Sequence, residues 1–210
     1  MLRPVLLAAL SFCLGLNAQD ARSFQELSQG TPGCPRVDSA SAGAHRQPGA
    51  RPLKESISNE FVAKGARKPA TEFGITNPDG TLQTLGSLKG QIVVVGFWST
   101  KCNPSLLMLQ EFRNFQKQTA ERKMNLVFWP VHFETWPEAL GFLRTKKAQL
   151  EGVEVKRLGI GEHGLSQLVD VLEVLPTVFI IDKAGGIATS WTGYQEGALL
   201  KRVNQMLAER

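Results

Sequence analysis

The hydrophobic pattern divides the chain into a short apolar run, a long polar stretch and a periodic remainder. Residues 5–16 are almost uninterrupted apolar sequence, preceded by Arg3 and followed by Ala18 before Gln19. Residues 19–67 carry few apolar positions at any period and are rich in Gly, Pro, Ser, Ala and Arg, the composition of a flexible arm or linker. Within that stretch Leu53, Ile57 and Phe61 fall four apart, which suggests a short helix over residues 53–63, with solvated coil as the alternative.

From residue 68 onward strand-like and helix-like segments follow in order. Residues 73–76 and 82–84 flank Asn77-Pro78-Asp79-Gly80 and predict a hairpin. Ile92–Trp98 is β-branched and aromatic apart from Gly96, the mark of a strand buried on both faces. A helix from Asn103 to about residue 123 carries Leu106, Leu109, Phe112 and Phe115 as one stripe. Residues 124–133 predict a second buried strand. Thr135 then caps a helix with Pro137 in its first turn and Ala139, Leu140 and Leu143 on its apolar side. A loop at 159–164 and a short helix at 165–172 lead to a strand behind Pro176. An edge strand, Ile187–Thr192, and a helix over 196–207 with Leu199, Leu200, Val203 and Leu207 inward close the chain. Strands alternating with helices, then a terminal hairpin and helix, predict an α/β domain over 68–210.

The 210 residues suffice for one domain with extensions, and the formal charge of +5 is spread among acids. No basic tract with interleaved aromatics suggests a nucleic-acid partner. Residues 1–18 have the charge, length and small-residue end of a secretory signal peptide, too short to span a bilayer. An extracytoplasmic, periplasmic or secreted protein with no stable transmembrane anchor after cleavage is therefore expected. The competing lipoprotein reading needs lipid on Cys13, which follows the bulky Phe12. After cleavage behind Ala18, Cys34 and Cys102 are the remaining cysteines, in a compartment that permits disulfides.

Cys102 stands where the buried strand turns into the helix that Asn103 and Pro104 open. Unpaired backbone N–H groups and the positive end of the helix dipole converge there, and Lys101 adds a charge, all favouring thiolate. Lowering a thiol pKa by about two units makes the thiolate predominant near neutrality, a change worth roughly 3 kcal/mol. The bland alternative is an inert cysteine filling space at a strand end.

GFWSTKCNPS, together with the lead-in KPATEFGIT and DGTLQTLGSLKGQIVVV and the strand LPTVFIIDKAGG, resembles the active-site and cis-proline segments of thioredoxin-fold proteins, and of the TlpA-like branch of extracytoplasmic thiol-disulfide oxidoreductases and redoxins in particular. The resemblance covers roughly residues 68–209. It implies a thioredoxin-like fold, a central mixed sheet flanked by helices, with no cofactor, and protein thiols or disulfides as partners. It also implies that Cys102 is the nucleophile and that Trp98, Lys101, Asn103, Pro104, Ser105, Leu175 and Pro176 bind substrate. The X-Pro bond before Pro176 is cis in that family and shows an extended substrate the backbone of the preceding residue, here Leu175.

The chain departs from the family at three places. Cys-x-Pro-Cys becomes Cys102-Asn103-Pro104-Ser105; the family glutamate six residues after the first cysteine is Met108; thioredoxin's aspartate six residues before it is Gly96. A serine cannot resolve a mixed disulfide. The resulting expectation is a monothiol oxidoreductase that attacks or binds but does not turn over alone. A redox-inactive binding module is the alternative, and a peroxiredoxin-like peroxidase a further one, weakened by Val95 where such enzymes carry proline.

Cys34 on the arm is a candidate resolving thiol, or a permanent partner of Cys102. A bond between them would stabilise the fold by about 4 kcal/mol in the chain-entropy model. A free thiol or an intermolecular bridge are the alternatives. His45, His132 and His163 have no metal-ligand spacing with the cysteines, so no metal is expected. Trp98, Trp129, Trp136 and Trp191 read as packing residues beyond any substrate role for Trp98.

Overall fold

A computed structural model of the chain describes residues 34, 59–122, 124–132, 134–158 and 174–209. The expected signal segment, the helix at 165–172, Cys13, His45 and His163 lie outside the described residues. Seven strands are described: β1 (Gly74–Thr76), β2 (Leu82–Thr84), β3 (Ile92–Trp98), β4 (Leu126–His132), β5 (Lys156–Leu158), β6 (Thr177–Ile181) and β7 (Ile187–Thr192). They form one sheet in the order β2-β1-β5-β4-β3-β6-β7. The helices are α1 (Asn103–Arg122), α2 (Trp136–Thr145), α3 (Lys147–Leu150) and α4 (Ala198–Ala208).

The sheet is mixed, as expected. β3 runs parallel to β4 and antiparallel to β6, with all seven of its residues buried. Alternation along β3 sorts its side chains between two layers. Val93, Val95 and Phe97 join Phe73, Leu85, Leu88, Trp129, Val131 and Phe179 in one core. On the other face Gly96 lies against α1, whose Phe112 packs on Phe128 of β4. The centre of the sheet thus fixes both ends of the β3–α1 junction.

Local chemistry explains the boundaries. Thr135 and Glu138 make a reciprocal capping box with Pro137 in the first turn of α2. The β6–β7 turn closes because Asp182 Oδ1 accepts from the backbone N–H groups of Ala184 and Gly186, both at 2.8 Å. Gly185 at φ 90° supplies the left-handed residue of that turn.

Several expectations are corrected. The helix suggested over 53–63 is not formed at its described end: residues 59–63 are irregular, and Val62 N–H donates to Ala188 O of β7. Leu140, placed on the apolar side of α2, is 39% exposed. Leu207 is exposed to the same degree, and Met206 takes its inward position, because the buried set Leu199, Val203 and Met206 keeps the helical step of four and three. β5 and α3 carry too little periodic apolar sequence to be read from the chain; β5 exists because it pairs with both β1 and β4.

Residues 59–67, read as part of the arm, meet the domain through Arg67. Its guanidinium donates to Asp182 Oδ2 at 2.9 Å, to a Glu209 carboxylate oxygen, and through Nε to Val62 O at 3.0 Å. The Arg67 side chain is 2% exposed and lies 5.5 Å from the Phe61 ring centre.

Candidate active site

β3 ends at Trp98, Ser99 to Lys101 turn the chain, and Cys102 directly precedes α1. Cys102 N–H donates to Ser99 O at 3.2 Å, and Cys102 O accepts from Ser105 N–H at 3.0 Å. Cys102 is therefore the last residue before the first helical turn, where the helix dipole is felt most.

Opposite it the Leu175–Pro176 bond is cis, and Leu175 O lies 3.3 Å from Cys102 Sγ. A reduced Cys102 would feel two opposed influences, the helix start favouring thiolate and this carbonyl favouring a donating S–H. Cys102 is bonded to Cys34 across 68 residues of chain, with Cα atoms 4.5 Å apart. Among the pairings the sequence left open, the intramolecular one is formed. Cys102 is 2% exposed, whereas Cys34 is half-buried against the same core.

Ser105, Gly96 and Met108, the positions where the chain departs from the family it resembles, are closely packed. Ser105 is buried, and its Oγ accepts from Ser99 N–H at 3.4 Å. A Cβ built on Gly96 would lie 2.6 Å from Phe112 Cζ and 2.8 Å from Met108 Sδ. The space beside Gly96 is packed with thioether and ring, so a side chain at this position, an aspartate's included, would displace them.

A carboxylate that sequence reading missed organises the turn. Glu134 Oε1 accepts from Ser99 Oγ at 2.6 Å, from Thr100 N–H at 2.8 Å and from Thr100 Oγ1 at 3.3 Å. Arg157 Nε donates to Glu134 O at 3.2 Å and ties the arrangement to β5. The signal available was indirect: the parallel register places Trp98 opposite His132, so whatever follows β4 meets whatever follows β3. His132 itself is fully buried between Trp98 and Trp136, and burial lowers its pKa to about 4, with Glu134 opposing and Arg157 reinforcing. It is neutral through the physiological range.

On the other side of Pro176, Gly193 N–H donates to Pro176 O at 2.7 Å. Tyr194 OH donates to Glu111 of α1 at 3.0 Å. Burial raises the Glu111 pKa against the Tyr194 and Gly197 hydrogen bonds, and burial with the neighbouring Glu111 raises that of Tyr194. This linkage connects the cis-proline segment to the helix that presents Cys102.

Of the expected substrate-binding residues, Lys101 is exposed and Asn103 and Pro104 are half-buried on the rim, while Ser105, Leu175 and Pro176 are buried at the junction. Trp98 has no exposed surface and packs against His132 and Phe142, supporting the turn from behind. Val174, 50% exposed beside Leu175, is an apolar rim residue that sequence reading passed over. Among the described residues no three acidic, histidine or cysteine side chains gather to hold a metal ion, and no helix is long and apolar enough to cross a membrane.

No family model matches the sequence, and no curated protein matches it. Solved structures do. A thiol:disulfide interchange protein of the thioredoxin family from Chlorobium tepidum TLS aligns at 22% identity with a TM-score of 0.54, covering 70% of this chain and 100% of that one. A thiol:disulfide interchange protein from Bacteroides sp. aligns at 13% identity and TM-score 0.56, covering 73% and 93%. A thiol-disulfide oxidoreductase from Bacteroides fragilis NCTC 9343 aligns at 18% identity and TM-score 0.52, covering 66% and 98%. At these identities the likeness establishes the fold, which is thioredoxin-like.

Proposed function

We propose that this chain is an extracytoplasmic thiol-disulfide oxidoreductase acting on protein thiols or disulfides, with Cys102 as nucleophile and the arm residue Cys34 as its redox partner. The observation that carries the reading is the Cys34–Cys102 bond, seated at the start of α1 and beside Leu175 and Pro176. It supplies the second thiol that Ser105 cannot. In this proposal a two-cysteine couple whose members lie far apart in sequence takes the place of a single-cysteine mechanism.

The chemistry balances. In the reduced protein Cys102 thiolate attacks a substrate disulfide, forming a mixed disulfide at Cys102 and expelling one substrate thiolate. Cys34 thiolate then attacks Cys102 Sγ, forming the internal bond and expelling the second. Two electrons pass to the substrate, and a dithiol donor must return them. The helix start lowers the cost of the Cys102 thiolate, while the backbone beside Pro176 lies against the sulfur where an extended chain would dock.

A single-turnover assay on a mixed-disulfide substrate tests the reading. Cys34→Ser should accumulate a mixed disulfide on Cys102 that wild type releases, and Cys102→Ser should abolish reaction altogether. Equal turnover by Cys34→Ser and wild type would rule out Cys34 as the resolving thiol. The burial of Cys102 favours a second reading, a binding module in which the same bond is only a staple. Persistence of the bond in millimolar glutathione would select it.

A further inference from the structure

We infer that a thiolate arriving at the oxidised protein attacks Cys34, not Cys102, so that the donor which recharges the protein is first bonded to the arm. This rests on the oxidoreductase reading above and assigns its two half-reactions to different sulfurs.

Two observations carry it. The first is access. Thiol–disulfide exchange requires the incoming thiolate to reach the sulfur it attacks. With the bond closed, Cys102 is 2% exposed and part of the buried core, and its Sγ lies 3.3 Å from Leu175 O. Cys34 is the partner that retains solvent-facing surface. The second is the leaving group. Attack at Cys34 expels Cys102 as thiolate at the N-terminus of a 20-residue helix, with Lys101 exposed beside it. A helix start stabilises the charge as it develops, with the Leu175 carbonyl oxygen 3.3 Å away opposing it, and a better-stabilised thiolate departs faster. Attack at Cys102 would need both the poorer approach and the expulsion of a cysteine that does not precede this helix.

The step conserves electrons. The donor thiolate forms a bond to Cys34 Sγ as the Cys34–Cys102 bond breaks, leaving Cys102 thiolate. The second thiolate of the same donor then attacks the donor sulfur, closing the donor disulfide and releasing Cys34 thiolate. The donor loses two electrons, the protein gains them, and the two donor protons go to solvent or to the released thiolates. Its oxidant is the internal bond itself, and the donor class is a dithiol. A thiol thus enters at Cys34, while a disulfide substrate meets the Cys102 thiolate after Cys34 has left it.

Glutathione is a suitable probe because a monothiol stops after the first step. The oxidised full mature chain is mixed with excess glutathione, quenched with acid at the earliest times, alkylated and mapped by mass. The expected product carries glutathione on Cys34 and the alkyl label on Cys102, on the order of tenfold over the reverse pattern. Initial rates are used so that return of Cys102 thiolate onto the adduct does not redistribute the label. Glutathione found mainly on Cys102, with Cys34 alkylated, overturns this assignment and leaves the oxidoreductase reading standing. Absence of adduct at both positions with the internal bond intact overturns both.

Discussion

Reducing the Cys34–Cys102 bond is expected to lower the free energy of unfolding by about 4 kcal/mol, a fall in melting temperature of roughly 10 °C for a chain of this size. The interval closed by the bond is 68 residues, and a loop of that length restricts the unfolded chain strongly. The Cys34→Ser variant should have the stability of the reduced wild type and should no longer respond to reductant. Urea unfolding with and without reductant measures the difference. A change below about 1 kcal/mol would mean that the unfolded chain is not constrained as the loop model requires.

Arg67→Ala is expected to destabilise the protein by about 3–5 kcal/mol, because it leaves the carboxylates of Asp182 and Glu209 without their cation in a largely buried site. The same cluster predicts an acid limb. Burial pushes the Asp182 pKa up, but the hydrogen bond from Arg67 and the backbone donors Gly186 and Ala184 outweigh it and hold the carboxyl below its ordinary range. A carboxylate depressed in the folded state stabilises fully above its unfolded pKa and loses that contribution as pH falls through the folded value. Stability of wild type should therefore drop below about pH 4, and Asp182→Asn should flatten this limb. Equilibrium unfolding at several pH values checks both. An Arg67→Ala effect within about 0.5 kcal/mol would make the cluster an ordinary surface contact.

The sequence carried the centre of the fold well and its edges poorly. Ile92–Trp98 was legible as an apolar, β-branched and aromatic run broken only by Gly96, and Ile187–Thr192 as the strand returning from the Asp182–Gly186 turn. β5 was not, since Lys156–Leu158 has no pattern of its own and is a strand only by virtue of β1 and β4 on either side. The phase of α4 slipped at its end for a related reason: Met206 and Leu207 are both apolar, and only the packed sheet decides which faces in.

At the site, Cys102, Ser105 and Pro176 were legible because their identities follow a spacing. Glu134 and Arg67 were not, since each acts across 34 residues or more, on Ser99 and Thr100 in one case and on Asp182 and Glu209 in the other. The partner of Cys102 was visible as one of several possibilities, because a sequence shows which thiols exist and not which meet. Trp98 shows the converse case, a position whose burial a spacing does not reveal. Its position beside the nucleophile suggested a ligand contact, but the alternation of β3 turns it toward His132 and away from solvent.

The central claim is that Cys34 and Cys102 form one reversible redox couple. Equilibration of the mature protein across a series of glutathione buffers, followed by non-reducing peptide mapping, tests it most directly. The account predicts that the Cys34–Cys102 peptide pair is lost and both thiols appear together in a single two-electron transition. Two free thiols throughout the oxidising end of the series, or a bond that stays closed throughout the reducing end, would contradict it.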